Sequence, residues 1–174
     1  GCDFICDYIL KNDVKTVLEI GTAIGYSSIR FANLKHDIHV TTIELDIERY
    51  TKANQNFKLC KLEDKITSIH DDALTHDFSE KFDLIFIDAA KAQYIKFFEK
   101  YKNNLTKNGV IISDNLSFHG MVDDLTLTHN YSTKKLVKKI QKYVEFLKTN
   151  EEFETEFFEI GDRISISRKK SVEN

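Results

Sequence analysis

The run Phe82 to Tyr94 (FDLIFIDAAKAQY) constrains the fold more tightly than any other part of the chain. It is an apolar stretch of strand length that stops at a carboxylate, Asp88, and continues at once into sequence of helical character. A strand apolar at successive positions is covered on both faces, as a central strand of a parallel sheet is. Asp88 then falls at the strand's carboxyl end, the edge of an open α/β sheet where ligands bind. Lys91 follows three residues later, near enough to share a site with it. The pair is the candidate chemical centre.

The remainder of the chain alternates strand and helix around that run. Phe4, Ile5, Tyr8 and Ile9 recur at helical spacing and predict an amphipathic helix over 2–12. VKTVLEI (14–20) and the β-branched IHVTTIE (38–44) predict strands, with a helix over 27–34 between them. A polar helix over 47–60 and a short strand over 65–70 lead through a polar loop to the strand at 82–88. A helix over 91–103 follows, and Asn108-Gly109 is expected to turn the chain into a fifth strand, VIISDN. Residues 116–130 show no period and are long for a connection in a compact domain, which is the mark of a functional lid. A basic amphipathic helix over 131–149 precedes FETEFFEI and RISISRK, which Gly161-Asp162 splits into a β-hairpin. Such alternation with right-handed crossovers gives a doubly wound, mostly parallel α/β sheet, and the closing hairpin places one antiparallel strand in it.

A chain of 174 residues suits one domain with a substantial core. Its net charge of −3 sets up no global basic field for nonspecific nucleic-acid binding. Cys2, Cys6 and Cys60 form neither a CxxC pair nor an even set, which favours a reduced, cytoplasmic setting. Cys2 and Cys6, four apart on a helix, read as part of its packed face. No apolar run approaches the roughly 20 residues of a membrane-spanning helix, and no signal peptide is visible. The missing initiator methionine and the absence of proline, where average usage gives roughly eight, suggest that an N-terminal piece is lacking.

Two constellations carry chemistry. In Glu19-Ile-Gly21-Thr-Ala-Ile-Gly25-Tyr-Ser27, glycines between a first strand and its helix let backbone approach a ligand at a helix N-terminus, although a bare tight turn would use the same glycines. The GxGxxG dinucleotide fingerprint is absent. Glu44 ends the second strand, where an acid can accept hydrogen bonds from ribose hydroxyls, and Asp72-Ala73 after the third strand could flank an adenine. Asp88 ends the fourth strand and Asp114-Asn115 the fifth. If those strands are neighbours, three oxygen ligands converge in a set suited to Mg2+ that keeps some waters. Residues of this type also serve as caps and turn formers.

LEIGTAIGYSS, TTIELD, FDLIFIDAAKAQY and GVIISDN together, and in this order, resemble the metal-dependent S-adenosylmethionine O-methyltransferases, the family of the caffeoyl-CoA and catechol enzymes. The resemblance covers essentially the whole chain. It implies a class I methyltransferase (Rossmann-like) fold of seven strands, residues 1–174 forming a single methyltransferase domain with its N-terminal helical segment truncated, and commonly a homodimer. It also implies that Gly21, Ser27, Glu44, Asp72, Ala73 and Asp88 contact S-adenosyl-L-methionine, that Asp88, Asp114 and Asn115 hold Mg2+ or another divalent cation, and that Lys91 is the general base beside Asp88.

For the methyl acceptor, FIDAAKAQYIKFFEKY, DNLSFHGMV and EFFEIGDRISISRK look most like the branch acting on 5-hydroxyuridine at the tRNA wobble position, giving 5-methoxyuridine. Lys134, Lys135, Lys138, Lys139 and Lys142 on one helix, with Arg163, Arg168, Lys169 and Lys170 near the end, could meet phosphates or form a solvated face. Phe118, His119 and Met121 in the lid could pack on a flipped base. The alternatives are a small catechol-like or CoA-linked phenol as acceptor, and a module that binds cofactor or RNA without turnover. The intact set Asp88, Lys91, Asp114 and Asn115 weighs against the last.

Overall fold

The computed structural model describes residues 1–88 and 93–171. Its strands are β1 (Thr16–Ile20), β2 (His39–Glu44), β3 (Ile66–His70), β4 (Phe82–Ile87), β5 (Leu105–Ser113), β6 (Phe153–Phe158) and β7 (Ile164–Lys169). Its α-helices are α1 (Cys2–Lys11), α2 (Tyr26–Ala32), α3 (Ile47–Leu59), α4 (Tyr94–Tyr101) and α5 (Tyr131–Lys148), with 3-10 turns at Lys102–Asn104 and Leu125–Leu127. The strands form one sheet in the order β3-β2-β1-β4-β5-β7-β6. β1 to β5 run parallel, and β7 lies antiparallel between β5 and β6.

The apolar run of β4 has a direct cause. Leu84 and Phe86 face one core, which α1, α2 and α3 cover with Ile5, Ile9, Phe31 and Phe57. Ile85 and Ile87 face the other, which α4 and α5 cover with Phe98, Tyr101, Tyr143 and Leu147. Each such side chain contributes about 1.5–3 kcal/mol by leaving water. Cys6 belongs to the first core and Cys2 packs against it, as the spacing on α1 anticipates.

Two glycines are required by close approach. Gly25 caps α2 at φ 91°, and a Cβ there would lie 2.5 Å from Cε1 of Phe57 on α3. The second glycine of the β1–α2 loop thus serves packing as well as the turn. Gly109 is the other case, and it corrects the expectation that Asn108-Gly109 precedes the fifth strand. β5 begins at Leu105 and passes through that pair, with a register shift against β4 between Phe82 and Leu84. A Cβ on Gly109 would stand 2.9 Å from the Phe82 carbonyl oxygen. Turn-type residues here accommodate an irregular strand, not a reversal.

The helix expected over 91–103 is described from Tyr94 to Tyr101 and tightens into the 3-10 turn. The segment expected as a lid, 116–130, buries Leu116 and Val122 and lays Phe118 and Met121 against the α4–α5 core. Among the described residues no helix is long and apolar enough to cross a membrane.

Candidate active site

The register of the sheet gathers the expected residues at one edge. Ile20 pairs with Ile87, and Ile87 pairs with Ser113. Gly21, Asp88 and Asp114 therefore leave three adjacent strands at the same level. The Asp88 N–H donates to the Ile20 carbonyl (3.1 Å) and continues the ladder past the strand end.

On the β1–β2–β3 side lies a cavity of about 440 Å³ whose lining includes Gly21, Glu44, Asp72, Ala73 and Asp88. Glu44 ties its walls together: Oε1 accepts from Ala23 N (2.8 Å) and Oε2 from Asp46 N (3.0 Å). A carboxylate has about four lone-pair sites, so acceptor capacity for hydroxyls remains. Asp72 Oδ1 accepts from Leu74 N (2.9 Å), and the Ala73 carbonyl is held by Tyr101 OH (2.6 Å) from α4. Ser27, expected at the cofactor, is not part of this lining; with Ser28 it acts on the buried carboxyl of Glu19.

Glu19 is a residue the sequence reading passed over. It is 1% exposed, and Ser28 Oγ and Thr42 Oγ1 (2.9 Å) both donate to the same oxygen, Oε1. Because Thr42 donates to Glu19, Thr22 must donate to Thr42 across their 2.6 Å contact. Burial pushes the acid up to about 8 despite these hydrogen bonds. The available signal was a charge inside the apolar strand VLEI.

On the β5–β7 side is a second cavity, of about 240 Å³, lined by Asp88, Tyr94, Asn115, Phe118, His119, Leu136, Ile140 and Asp162. Tyr94 donates to the Asp114 carbonyl (2.9 Å) and stacks on Tyr143, which shares a 2.7 Å hydrogen bond with Ser113. Asp162 is the other residue missed, because Gly161-Asp162 reads as turn chemistry. Asp88 lines both cavities and is the wall between them.

Burial, with the charge of Asp114 beside it, lifts the Asp88 carboxyl to about 6, and burial also raises Asp114. Asn115 directs Nδ2 at Asp88 Oδ1 (3.2 Å), while its backbone N–H donates to Asp114 Oδ1 (2.7 Å). Among the described residues no group of three or more His, Cys, Asp or Glu side chains could hold a metal. The expected trio comprises two carboxylates and an amide. Lys91 lies outside the described residues.

The basic residues divide. Arg163 is bound to Asp123 (2.7 Å) and Glu159 (2.8 Å), and Arg168 to Glu156 (3.4 Å), so these arginines hold the fold's own carboxylates. On α5, Lys135, Lys138, Lys139 and Lys142 are exposed, and with Lys134 they make no ion pair among the described residues.

Five parallel strands closed by an antiparallel hairpin, with a cofactor-sized cavity at the β1–β2 edge, are the class I methyltransferase fold. The chain belongs to the O-methyltransferase family, whose model matches residues 3–170. A caffeoyl-CoA O-methyltransferase of Populus kitakamiensis is 27% identical over 166 residues, covering 90% of this chain and 71% of that protein. A Staphylococcus aureus crystal structure assigned as a caffeoyl-CoA O-methyltransferase is 42% identical with a TM-score of 0.93, covering 97% of this chain and 82% of the other. The O-methyltransferase of Bacillus cereus in complex with S-adenosylhomocysteine is 25% identical with a TM-score of 0.81, covering 97% of this chain and 80% of the other. The protein is an S-adenosylmethionine-dependent O-methyltransferase.

Proposed function

We propose that this enzyme methylates the hydroxyl of a small, catechol-like or CoA-linked phenol with the help of a divalent cation, most simply Mg2+. The observation that carries the reading is the shared wall. Asp88 borders the cofactor-sized cavity on one side and a smaller, largely apolar cavity on the other, the arrangement a direct methyl transfer between two bound partners needs. Caffeoyl-CoA O-methyltransferase is the name of the Populus relative, which supports this acceptor class.

The donor set fits a hard cation. Asp88 and Asp114 are both held above the ordinary carboxylate range by burial, so each gains from a positive charge. Asn115 adds an amide whose oxygen would face the same space after a half-turn of the side chain. Asp88, Asp114 and Asn115 would hold the ion, and the ion would supply acidification of an acceptor hydroxyl. Glu44 would bind the ribose hydroxyls while keeping its two backbone donors, and Asp72 and Ala73 would border the adenine. Lys91, by its place in the motif, would take the acceptor's proton as a neutral amine. Tyr94, Leu136 and Ile140 would exclude water from the acceptor.

A second acceptor, 5-hydroxyuridine of tRNA, is favoured by one observation, the lysines of α5 that make no ion pair among the described residues and present a local positive stripe on a chain of net charge −3. Its enolic hydroxyl beside a carbonyl oxygen offers a cation the same two-oxygen grip as a catechol. The deciding experiment supplies purified protein with S-adenosylmethionine and Mg2+, and offers caffeoyl-CoA, catechol and tRNA carrying 5-hydroxyuridine. Methylated phenol, abolished by a chelator, is the expected result. Methylation of tRNA alone would replace the first reading with the second, and turnover undiminished by chelator would remove the metal.

A further inference from the structure

We propose that Asp162, in the turn between β6 and β7, is the positioning residue for the acceptor side: it latches the start of the lid, with Phe118 on it and Asn115 just before it, and its second carboxylate oxygen selects acceptors bearing a hydrogen-bond donor. This rests on the methyltransferase reading given above.

The latch is a run of hydrogen bonds between elements distant in sequence. Leu116 N donates to the Arg163 carbonyl (3.2 Å), Ser117 N to the Asp162 carbonyl (2.9 Å), and His119 N to Asp162 Oδ1 (2.8 Å). Arg163 closes the far end on Asp123 (2.7 Å), with its side chain only 14% exposed. The segment so held is strained. Asn115, Phe118 and His119 have φ of 62°, 47° and 57°, in the left-handed region that residues with a Cβ avoid. Such a backbone persists where its surroundings over-determine it. Here the surroundings are the β6–β7 turn.

Asp162 also reaches the chemistry. It lines the acceptor cavity with Asp88 and Asn115, and with Oδ1 engaged by His119 its Oδ2 has no hydrogen-bond partner among the described residues. A carboxylate oxygen in a cavity where Asp88, Asn115 and His119 share the lining with Tyr94, Phe118, Leu136 and Ile140 favours an acceptor that offers it an O–H or N–H.

Asp162→Asn and Asp162→Ala separate the two roles. Asn retains an oxygen for His119 N–H but loses the charge; Ala loses both. Amide hydrogen exchange at Ser117 and His119, Mn2+ binding followed by electron paramagnetic resonance, S-adenosylmethionine binding by calorimetry, and KM and kcat with catechol are compared across wild type and variants. In Asp162→Ala, exchange at both amides should rise at least tenfold and Mn2+ binding weaken at least fivefold, while cofactor affinity stays within twofold. In Asp162→Asn, exchange and Mn2+ binding should match wild type, with KM raised about tenfold and kcat little changed. Unchanged exchange in Asp162→Ala, or unchanged KM in Asp162→Asn, overturns the proposal. If Asp162→Ala does not fold, the KM of Asp162→Asn decides it. If wild type methylates tRNA 5-hydroxyuridine and not catechol, the same KM comparison is made with that substrate. A wild type that methylates neither refutes the acceptor reading, and the exchange result then decides the latch by itself.

Discussion

Replacing Glu19 by glutamine should remove most of a pH dependence built into the fold. The carboxyl is fully enclosed, its Oε1 takes two hydroxyl donors, and burial pushes its acid up to about 8 from 4.5. Between those values the folded chain keeps a proton that the unfolded chain has released. Stability from this group is therefore full below about pH 4.5 and declines as pH rises, at about 1.4 kcal/mol per unit, levelling above the folded value. The span corresponds to a loss on the order of 5 kcal/mol, a large share of a small domain's total. Glutamine keeps the oxygen that Ser28 and Thr42 address and places an amide where the proton-bearing oxygen was. Urea unfolding of wild type and Glu19→Gln at steps from about pH 5 to about pH 8.5, without cofactor, isolates the effect, because every other titration is common to both. The curves should diverge with rising pH in favour of the variant. Parallel curves would refute the reasoning and show that Glu19 is ionised in the folded protein.

Gly25→Ala forces a methyl into the 2.5 Å approach of Phe57 at a φ of 91°, so the urea midpoint should fall by roughly 2–4 kcal/mol equivalent. Glu44→Ala removes the acceptor of Ala23 N and Asp46 N as well as the proposed ribose contact; calorimetry should show S-adenosylmethionine binding weakened at least tenfold on the order of one charged hydrogen bond. Lys91→Met should lower turnover by about 100-fold or more while cofactor affinity stays near wild type, and unaltered turnover would take Lys91 out of the mechanism.

The sheet was legible because its signals are local and physical. β4 is apolar from Leu84 to Ile87 because Leu84 and Phe86 face one core and Ile85 and Ile87 the other, and the β6–β7 hairpin announces itself through Gly161-Asp162. The convergence of Asp88 with Asp114-Asn115 followed from placing both at strand ends. What stayed hidden depends on partners far away in the chain. Gly109 answers to the Phe82 carbonyl, Arg163 to Asp123, and Asp162 to the backbone of 117–119, and no spacing rule carries those contacts. Ser27 sits in the motif beside Ser28, whose hydroxyl is the one that donates to the buried acid Glu19.

The position of Asp88 at the seam between two cavities has a consequence for how such an enzyme diversifies. In the proposed function, the cavity on the β1–β2–β3 side serves the methyl donor, and the cavity lined from the lid, α5 and the β6–β7 turn serves the acceptor. Substitutions on the second set can accumulate without disturbing the first, so a lineage can exchange one acceptor for another while its donor chemistry stands still. Among the described residues Asp88 alone lines both cavities, which makes it the position where drift is least free.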